Sequence, residues 1–467
     1  MANSVKRNAT VLTIATLFAT VTQIIQFVLM GRLMPESEIG LASMVLVIVT
    51  FAQMFTDFGL SGYYVHRQDA NQSEKSTLYW LNIVLGTLVT GVVVSLTPLI
   101  SWFYQQPELT NLILLAAISF PIIAAGSQLQ AALLKTFNYK AIATIEVLTR
   151  LVGLAAFAYF VINQYGAMSI VVAHLSVSIT KTVLLFIATE RDELPGFSFE
   201  KKYVGGSLSY GVYLILGQFL NQLTLNLDKI LIGKFLGMAN LGLYTLGKDL
   251  AMRAMQVINP IVNKLCMPRY AAKQDNIEAL TEEAGNTYFI LSFFSTFMFF
   301  SLSLCSPLLI ELLFGSDKLA VVPVFSVLAF YVMFRSFGNV TGTLLAATGN
   351  TKLDFKWNVL AACISLPTIF LLVQYNIDVL IVGMVLLQAL LTILSYFILI
   401  KPCVNLTFSR FTFNILLFPV IALLGFIGVK AFIVIDGVLT LFIVYGVWLT
   451  LYLTFSYLIK NQVINIK

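Results

Sequence analysis

Two basic residues lie deep inside long apolar stretches of the sequence and are the first candidates for chemistry. Lys248 and Arg335 each stand in a largely uncharged run, and neither has an obvious acidic partner on its own helix face. A charge inside the hydrocarbon of a membrane is costly and is usually kept for function. We therefore predict that both residues face an anionic ligand, with pairing to a distant acid as the alternative.

Two other basic residues have an acid nearby. Arg150 follows Glu146 by four residues, and Arg253 follows Asp249 by four. This spacing, with the acid first, favours an ion pair along one face of a helix. Arg150 and Arg253 are therefore second candidates for ligand binding, because a local carboxylate can neutralise each of them.

Uncharged polar residues form stripes at helical spacing in two apolar stretches. The stripes contain Thr16, Thr20 and Gln23 in the first stretch, and Gln218, Asn221 and Gln222 in the seventh. They predict the lining of a partly hydrated cavity, while hydrogen bonds between helices are the alternative. Three acids are candidates for gating or ion coupling: Asp57, Glu146 and Asp228, the last lying near the outer end of its stretch, where water can reach it.

Several other site chemistries are excluded or disfavoured. The four cysteines and two histidines lack the spacing of a metal site, so no metal is expected. Residues 242–249 resemble a phosphate-binding loop, but Asp249 replaces the final Ser or Thr and the segment enters an apolar stretch. The basic residues form no patch with interleaved aromatics, which excludes nucleic acid as a partner.

The elements that must hold these residues are transmembrane helices. The chain has 467 residues, of which 59% are hydrophobic and only 11% charged, with a mean hydropathy of +0.90. A helix crosses the hydrocarbon core with about 20 apolar residues. The sequence predicts an all-α polytopic membrane protein with about fourteen spans near residues 10–32, 38–60, 78–104, 109–135, 142–162, 166–189, 206–232, 239–264, 286–314, 319–348, 355–375, 379–400, 411–432 and 437–459.

The basic residues of the connections give the orientation. With both termini in the cytoplasm, eighteen Lys and Arg residues lie on the inner side and four on the outer side. Such a bias follows the positive-inside rule, and a missed span would reverse it downstream. We therefore expect a multi-pass protein of the bacterial inner membrane with cytoplasmic termini.

An internal repeat relates the first and second halves at an offset of 202 residues. Gly31 matches Gly233, Gly40 matches Gly242, and both pairs lie in the outer turn that opens a half. Six spans per repeat preserve orientation, which predicts parallel repeats of the kind that many transporters use. The predicted divisions are a six-helix lobe at 1–200, a second at 201–402, and two additional helices at 403–467.

Several motifs carry a resemblance to a known family. Residues 226–237 with 241–244, the Gly31-Arg32-Leu33 turn, and residues 55–60 resemble the polysaccharide transporter family of the multidrug/oligosaccharidyl-lipid/polysaccharide exporter superfamily. The colanic acid exporter branch is the most similar. The resemblance implies two six-helix bundles around a cationic cavity, in which Lys248, Arg335, Arg150 and Arg253 hold a diphosphate.

The function that the resemblance implies is a flippase for undecaprenyl-diphosphate-linked oligosaccharides, not an enzyme. Its partners would be this lipid-linked substrate, membrane lipid and the polysaccharide polymerase machinery. No cofactor is expected, and a proton or sodium gradient is the candidate energy source. Two alternatives remain: an ion-coupled multidrug exporter of the same superfamily, and a membrane polymerase or ligase, which the short outer loops disfavour.

Overall fold

The fold is described from a computed structural model of the chain. It describes residues 2–67, 69–432, 446, 448–450 and 452–454, and within these ranges it leaves out the side chains of 2–10, 206–214, 216–217, 220–221, 257–261, 263, 351 and 425–432. The α-helices are α1 Ala2–Leu33, α2 Glu36–Asp57, α3 Leu60–His66, α4 Gln72–Tyr104, α5 Glu108–Ala117, α6 Ser119–Lys135, α7 Tyr139–Ile162, α8 Met168–Ala188, α9 Val204–Phe235, α10 Gly237–Ala272, α11 Ile277–Leu304, α12 Ser306–Phe314, α13 Val321–Ala347, α14 Thr351–Leu372, α15 Ile377–Ser395 and α16 Phe408–Phe432.

These helices confirm the predicted all-α membrane fold. In the described ranges, ten helical segments are long and apolar enough to cross a membrane, and α9, α10 and α16 are further long helices. Each of the first thirteen predicted spans coincides with described helices. The fourteenth, predicted at 437–459, lies mostly outside the described residues.

Prolines explain where the structure divides a predicted span. The fourth span is split into α5 and α6 just before Pro121, and the ninth into α11 and α12 just before Pro307. A proline lacks the backbone N–H that would continue the helical ladder, so the preceding turn is interrupted. The second span ends earlier than predicted, at Asp57, because Phe58 and Gly59 have positive φ angles and start the short helix α3 in a new direction.

The chain divides into two compact units, Met1–Gly242 and Leu243–Lys467. In the first unit, α4 packs on α6, α6 on α8, and α7 on both α1 and α8. Small residues permit these close approaches: a Cβ at Gly86 would lie 2.6 Å from the Ala124 Cβ, and one at Gly153 would lie 2.5 Å from a Val177 methyl. Such packing is typical of membrane helices, which associate without a hydrophobic driving force. The predicted lobe boundaries rest on the repeat, not on compactness, and stay a prediction.

In the second unit, α11 is the central packing element, because α13 and α16 both lie against it. The Asn414 amide on α16 donates to the Gly285 carbonyl on α11 at 2.9 Å. Trp448, from the predicted fourteenth span, stacks on Phe300 at 5.5 Å and is 1% exposed. Parts of both additional predicted helices are therefore held on α11.

The repeat is visible as a reciprocal contact within the first unit. A Cβ at Gly40 would lie 1.9 Å from the Met238 carbonyl oxygen, and a Cβ at Gly242 would lie 1.9 Å from the Glu36 carbonyl oxygen. Glu36 and Met238 are themselves 202 residues apart, as are the two glycines. Equal and reciprocal contacts are what a local two-fold relation gives. The contact supports the predicted repeat.

Candidate functional site

The two leading cations lie on neighbouring helices of the second unit. Lys248 on α10 is 7% exposed, and its Nζ lies 5.5 Å from the ring centroid of Tyr244, one turn earlier. Tyr244 is fully buried, and its hydroxyl donates to Met384 Sδ on α15. An aromatic face stabilises an ammonium group that has lost its water. Tyr244 therefore positions Lys248, a contact that the sequence analysis did not identify.

Arg335 on α13 has guanidinium N–H donors that can bind an anion. Its Nη1 donates to the Tyr331 hydroxyl at 3.2 Å, and the side chain is half-buried. Within the part of the chain that the structure describes, no carboxylate lies within ion-pair distance of Arg335. A guanidinium with one neutral partner has several N–H donors left for a phosphate. This geometry fits the predicted role in anion binding, which itself stays a prediction.

Lys248 and Arg335 lie at different heights in the second unit. A Cβ on Gly247 would lie 2.9 Å from a Val324 methyl, so Lys248 lies near the level of Val324 on α13. Arg335 follows Val324 by eleven residues, about 16 Å at helical rise. The two cations therefore do not form one compact site. Arg253, on the same helix as Lys248, follows it by five residues, or about 7 Å, and is attracted electrostatically by Asp249, as predicted.

The predicted ion pair on α7 is confirmed. Arg150 Nε lies 2.8 Å from Glu146 Oε1, and each side chain is about one-third exposed. Lys181 on α8 interacts electrostatically with both of them, so the cluster carries one more positive than negative charge. Arg150 is therefore paired with a local carboxylate, and its role in binding stays a prediction.

The polar stripe of α1 makes no hydrogen bonds between helices at two of its described positions. Thr16 donates to the Leu12 carbonyl and Thr20 to the Thr16 carbonyl, each at 2.8 Å, and both side chains are exposed. Gln23 is half-buried. The hydroxyls are thus satisfied within their own helix, which disfavours the alternative of interhelical hydrogen bonding at Thr16 and Thr20.

The second stripe is described in part. Gln218 is exposed, and Gln222 Oε1 accepts from Asn226 Nδ2 at 3.2 Å within α9. The side chain of Asn221 lies outside the described residues. An exposed glutamine on an apolar helix fits the expected lining of a hydrated cavity, and this assignment stays a prediction.

The predicted gating acids have structural partners. Asp57, the last residue of α2, accepts at Oδ1 from the backbone N–H of Ser61 at 3.2 Å and from its hydroxyl, so its carboxylate satisfies a backbone donor in the first turn of α3. Asp228 is 2% exposed, and its Oδ1 accepts from the Lys229 N–H at 2.8 Å. The expectation that water reaches Asp228 is wrong, because the packing around α9 buries it although it lies near the end of a predicted span. A role of either acid in ion coupling stays a prediction.

A second polar cluster joins three helices of the first unit. His174 Nε2 on α8 lies 3.3 Å from Gln53 Nε2 on α2 and 3.4 Å from Ser119 Oγ on α6. Side chains 121 and 55 residues apart meet here, and no local spacing could have predicted it. Within the described residues, no group of three His, Cys, Asp or Glu side chains could hold a metal.

A docked connection, residues 190–203, was also missed in the sequence. Glu193 accepts from the Tyr64 hydroxyl and from Lys75 Nζ, both at 2.6 Å. Burial alone would raise the pKa of Glu193, but these two hydrogen bonds outweigh it and hold its pKa below the ordinary value. Trp80 Nε1 donates to the Gly196 carbonyl at 2.9 Å. This connection is therefore fixed on the first turns of α4.

The family of the chain follows from comparison with known proteins. Residues 29–323 match the sequence profile of polysaccharide biosynthesis proteins, which is more than half of the chain. The chain belongs to the polysaccharide biosynthesis protein family. The predicted family is thereby confirmed, and the relatives below agree with it.

Relatives in this family cover most of the chain. The amylovoran biosynthesis protein AmsL of Erwinia amylovora is 30% identical over 356 residues, covering 75% of this chain and 90% of that protein. The teichuronic acid biosynthesis protein TuaB of Bacillus subtilis is 30% identical over 74% of this chain and 71% of its own. The lipopolysaccharide biosynthesis protein WzxC of Escherichia coli is 29% identical over 86% and 82%, respectively.

Solved structures share the fold. The lipid II flippase MurJ in an inward closed conformation matches with a TM-score of 0.76 at 14% identity, covering 97% of this chain and 99% of that chain. An inward-facing multidrug transporter of the MATE family matches with a TM-score of 0.59 at 15% identity, covering 81% and 93%. At these identities the matches establish a polytopic membrane fold.

Proposed function

We propose that this protein is a flippase that moves undecaprenyl-diphosphate-linked oligosaccharides from the cytoplasmic to the outer leaflet by alternating access. The observation that carries the proposal is family membership, because its relatives are named for amylovoran, teichuronic acid and lipopolysaccharide biosynthesis. A chain built almost wholly of membrane-length helices contributes to such synthesis most directly by moving an intermediate across the bilayer. The structural likeness to a lipid II flippase agrees with this.

The physical task is to carry a diphosphate and sugars across hydrocarbon. Removing these groups from water without compensation costs several kcal/mol for each polar group and more for each charge. A polar path with fixed cations lowers that barrier. Lys248 and Arg335 supply two cations at different heights on α10 and α13, and the predicted topology runs both helices from the outer to the inner side.

Separated cations suit a moving anion better than one deep trap. A diphosphate held by every cation at once would bind tightly and leave slowly. With about 16 Å along α13 between the level of Lys248 and Arg335, the head group exchanges one partner for the next. Arg253, about 7 Å further along α10 than Lys248, lies at a height between those of Lys248 and Arg335. The three residues together form a series of cations along the path.

The remaining assignments belong to the same proposal. The protein lies in the bacterial inner membrane with both termini in the cytoplasm, carries out no catalytic step and hands its product to polysaccharide polymerase machinery. A proton or sodium gradient, or removal of product outside, drives the movement. The cation series favours an anionic substrate over the organic cations that the multidrug alternative would carry.

The deciding experiment is translocation of a labelled undecaprenyl-diphosphate oligosaccharide in proteoliposomes, scored by protection from an external glycosidase. Protein-dependent protection supports the proposal. Absence of protection with several glycans, together with ion-driven dye efflux from the same vesicles, overturns it in favour of a multidrug exporter.

Charge-neutral variants connect the transport to the cations. Arg335→Gln and Lys248→Gln should each lower the rate by about tenfold or more, since a hydrogen bond to a charged group contributes about 1.5–3 kcal/mol. Lys401→Gln removes an exposed basic residue outside the membrane helices and is the matched control. Transport at the wild-type rate in both Arg335→Gln and Lys248→Gln would show that neither residue belongs to the transport site.

A further inference from the structure

A long apolar groove runs along the first unit between α2, α4 and the outer part of α9. Its volume is about 790 Å³, within the range of ligand sites. The described residues that line it include no charged side chain, and its one phenol hydroxyl, on Tyr104, donates to the Ile230 carbonyl at 3.3 Å. The groove therefore offers a ligand shape and dispersion contacts and no polar recognition.

One face of α4 forms the length of the groove. Leu88, Val92, Leu96, Leu99 and Phe103 recur at intervals of four, four, three and four residues, which places them in one stripe. Their side chains are 60%, 57%, 44%, 57% and 40% exposed, respectively. Large apolar side chains on this stripe thus remain available to a ligand.

The length of the groove indicates the kind of ligand. Its lining on α4 extends from Leu85 to Phe103, eighteen residues, or about 27 Å at helical rise. The hydrocarbon core of a bilayer is about 30 Å thick, so one leaflet supplies about half of that. A phospholipid chain fills one half of such a groove. A single apolar chain that is longer than one leaflet fills all of it.

The outer end of the groove carries a positive charge. Lys234 Nζ lies 4.5 Å from the ring centroid of Phe103 and donates to the Phe103 carbonyl. This places an ammonium group beside the last turn of the apolar stripe. A ligand with an anionic head and a long apolar tail matches both the charge and the stripe.

We propose that the groove holds the polyisoprenoid tail of the transported lipid while its head group crosses the membrane. The inference rests on the proposed function and names the surface that guides the tail. Because the tail is as well solvated by lipid as by protein, the groove acts through packing, not through the hydrophobic effect. A wall continuous across both leaflets lets the tail turn over without leaving the protein.

The test fills the groove without touching the cations. Val92→Trp places a large side chain on the exposed stripe, and Leu99→Trp does so nearer the outer end. Val183→Trp is the matched control, because Val183 on α8 is 51% exposed and does not line the groove. The probes are an undecaprenyl-diphosphate oligosaccharide with a diazirine in its tail, a diazirine phospholipid, and an analogue with a tail of only two isoprene units.

The expected results distinguish a defect in guiding the tail from a defect in binding the head group. In the wild type, the long tail crosslinks to α2 and α4, and excess unlabelled long-chain lipid competes. Each groove variant should lose most of this crosslinking and of long-chain transport, because the indole occupies the space along the stripe in which the tail would lie. Transport of the short-tailed analogue should be unchanged in all variants.

Two results would overturn the inference while the flippase proposal survives. The first is undiminished long-chain transport in both groove variants, provided that both are monodisperse. The second is crosslinking by the diazirine phospholipid that equals crosslinking by the long-chain probe and that excess long-chain lipid does not reduce. Failure of the proposed function itself looks different. There, the wild type moves neither the long-chain nor the short-tailed lipid.

Discussion

The reciprocal contact of Gly40 and Gly242 gives a sharp test of the repeat. An alanine Cβ at either position would lie 1.9 Å from a carbonyl oxygen, whereas ordinary contacts lie at 3.4–4 Å. The starts of α2 and α10 would therefore have to separate by about 1.5 Å. Overpacking of this kind costs about 1–3 kcal/mol. If transport requires this contact in one conformation, that conformation loses about 5- to 150-fold of its population.

The double variant carries the decisive prediction. Gly40→Ala and Gly242→Ala each place a methyl group in the same contact between the starts of α2 and α10. A separation of these two helix ends that makes room for the first methyl group therefore also makes room for the second. We expect the double variant to cost about as much as the worse single variant, not the sum, because residues that share a contact are not additive. Gly91→Ala on α4 is the control, since among the described residues no heavy atom beyond its chain neighbours and the adjacent backbone of α4 lies within 4 Å of the added Cβ.

The assay is apparent thermal stability in detergent, followed by the monodisperse fraction after heating, with flipping measured on the same preparations. Gly91→Ala should be neutral or slightly stabilising, because alanine favours a helix by up to about 1 kcal/mol over glycine. Additive losses in the double variant would refute the shared crossing. So would single variants as stable and active as Gly91→Ala.

Three further predictions follow from the described contacts. Glu193→Gln should weaken the docking of residues 190–203 at every pH, because a neutral amide does not attract Lys75 as the carboxylate does. In the wild type, the contribution of Glu193 is present above the ordinary pKa of 4.5 and is lost as pH falls through the lowered pKa of the folded state; trypsin cleavage after Lys201 and Lys202 measures the loosening. Glu146→Gln should impair stability more than the double variant with Arg150→Gln, because the single change leaves an uncompensated cation; a double-mutant cycle measures it. Asp57→Ala should lose about 1 kcal/mol of stability and Asp57→Asn much less, since both Asp and Asn can accept from Ser61. An Asn variant that unfolds or stops transport would contradict this hydrogen-bonding role.

Much of the fold could be predicted because the membrane restricts it. Apolar runs must become helices, whereas the direction that the basic connections predict for them stays a prediction. The break at Pro121 and the turn at Phe58 and Gly59 were missed because hydropathy averages over a window and does not register a single altered backbone angle. The pair of Glu146 and Arg150 was predicted because its spacing is local.

Most of the contacts that were not predicted join residues far apart in the chain, and one joins neighbours on a single helix. Tyr244 lies one helical turn before Lys248, so helical spacing could have placed the two side chains together. The strength of this cation–ring contact, however, depends on burial, which only tertiary packing provides. His174 with Gln53, and Glu193 with Tyr64, depend on which helix faces which. Sequence periodicity gives the face of a helix, and the partner of that face is a tertiary property.

Separating head-group binding from tail guidance explains how so few charges are needed. In a soluble site, affinity would require all contacts at once, and release would be slow. In the proposed mechanism the tail stays in an apolar groove, where it neither gains nor loses solvation as it moves, so its movement costs little free energy. In the proposed mechanism the free-energy barrier is then confined to the diphosphate and sugars, for which Lys248, Arg253 and Arg335 are the proposed partners in turn. Such a mechanism predicts tolerance of varied sugars, because the proposed contacts are with the diphosphate and the tail and not with the glycan.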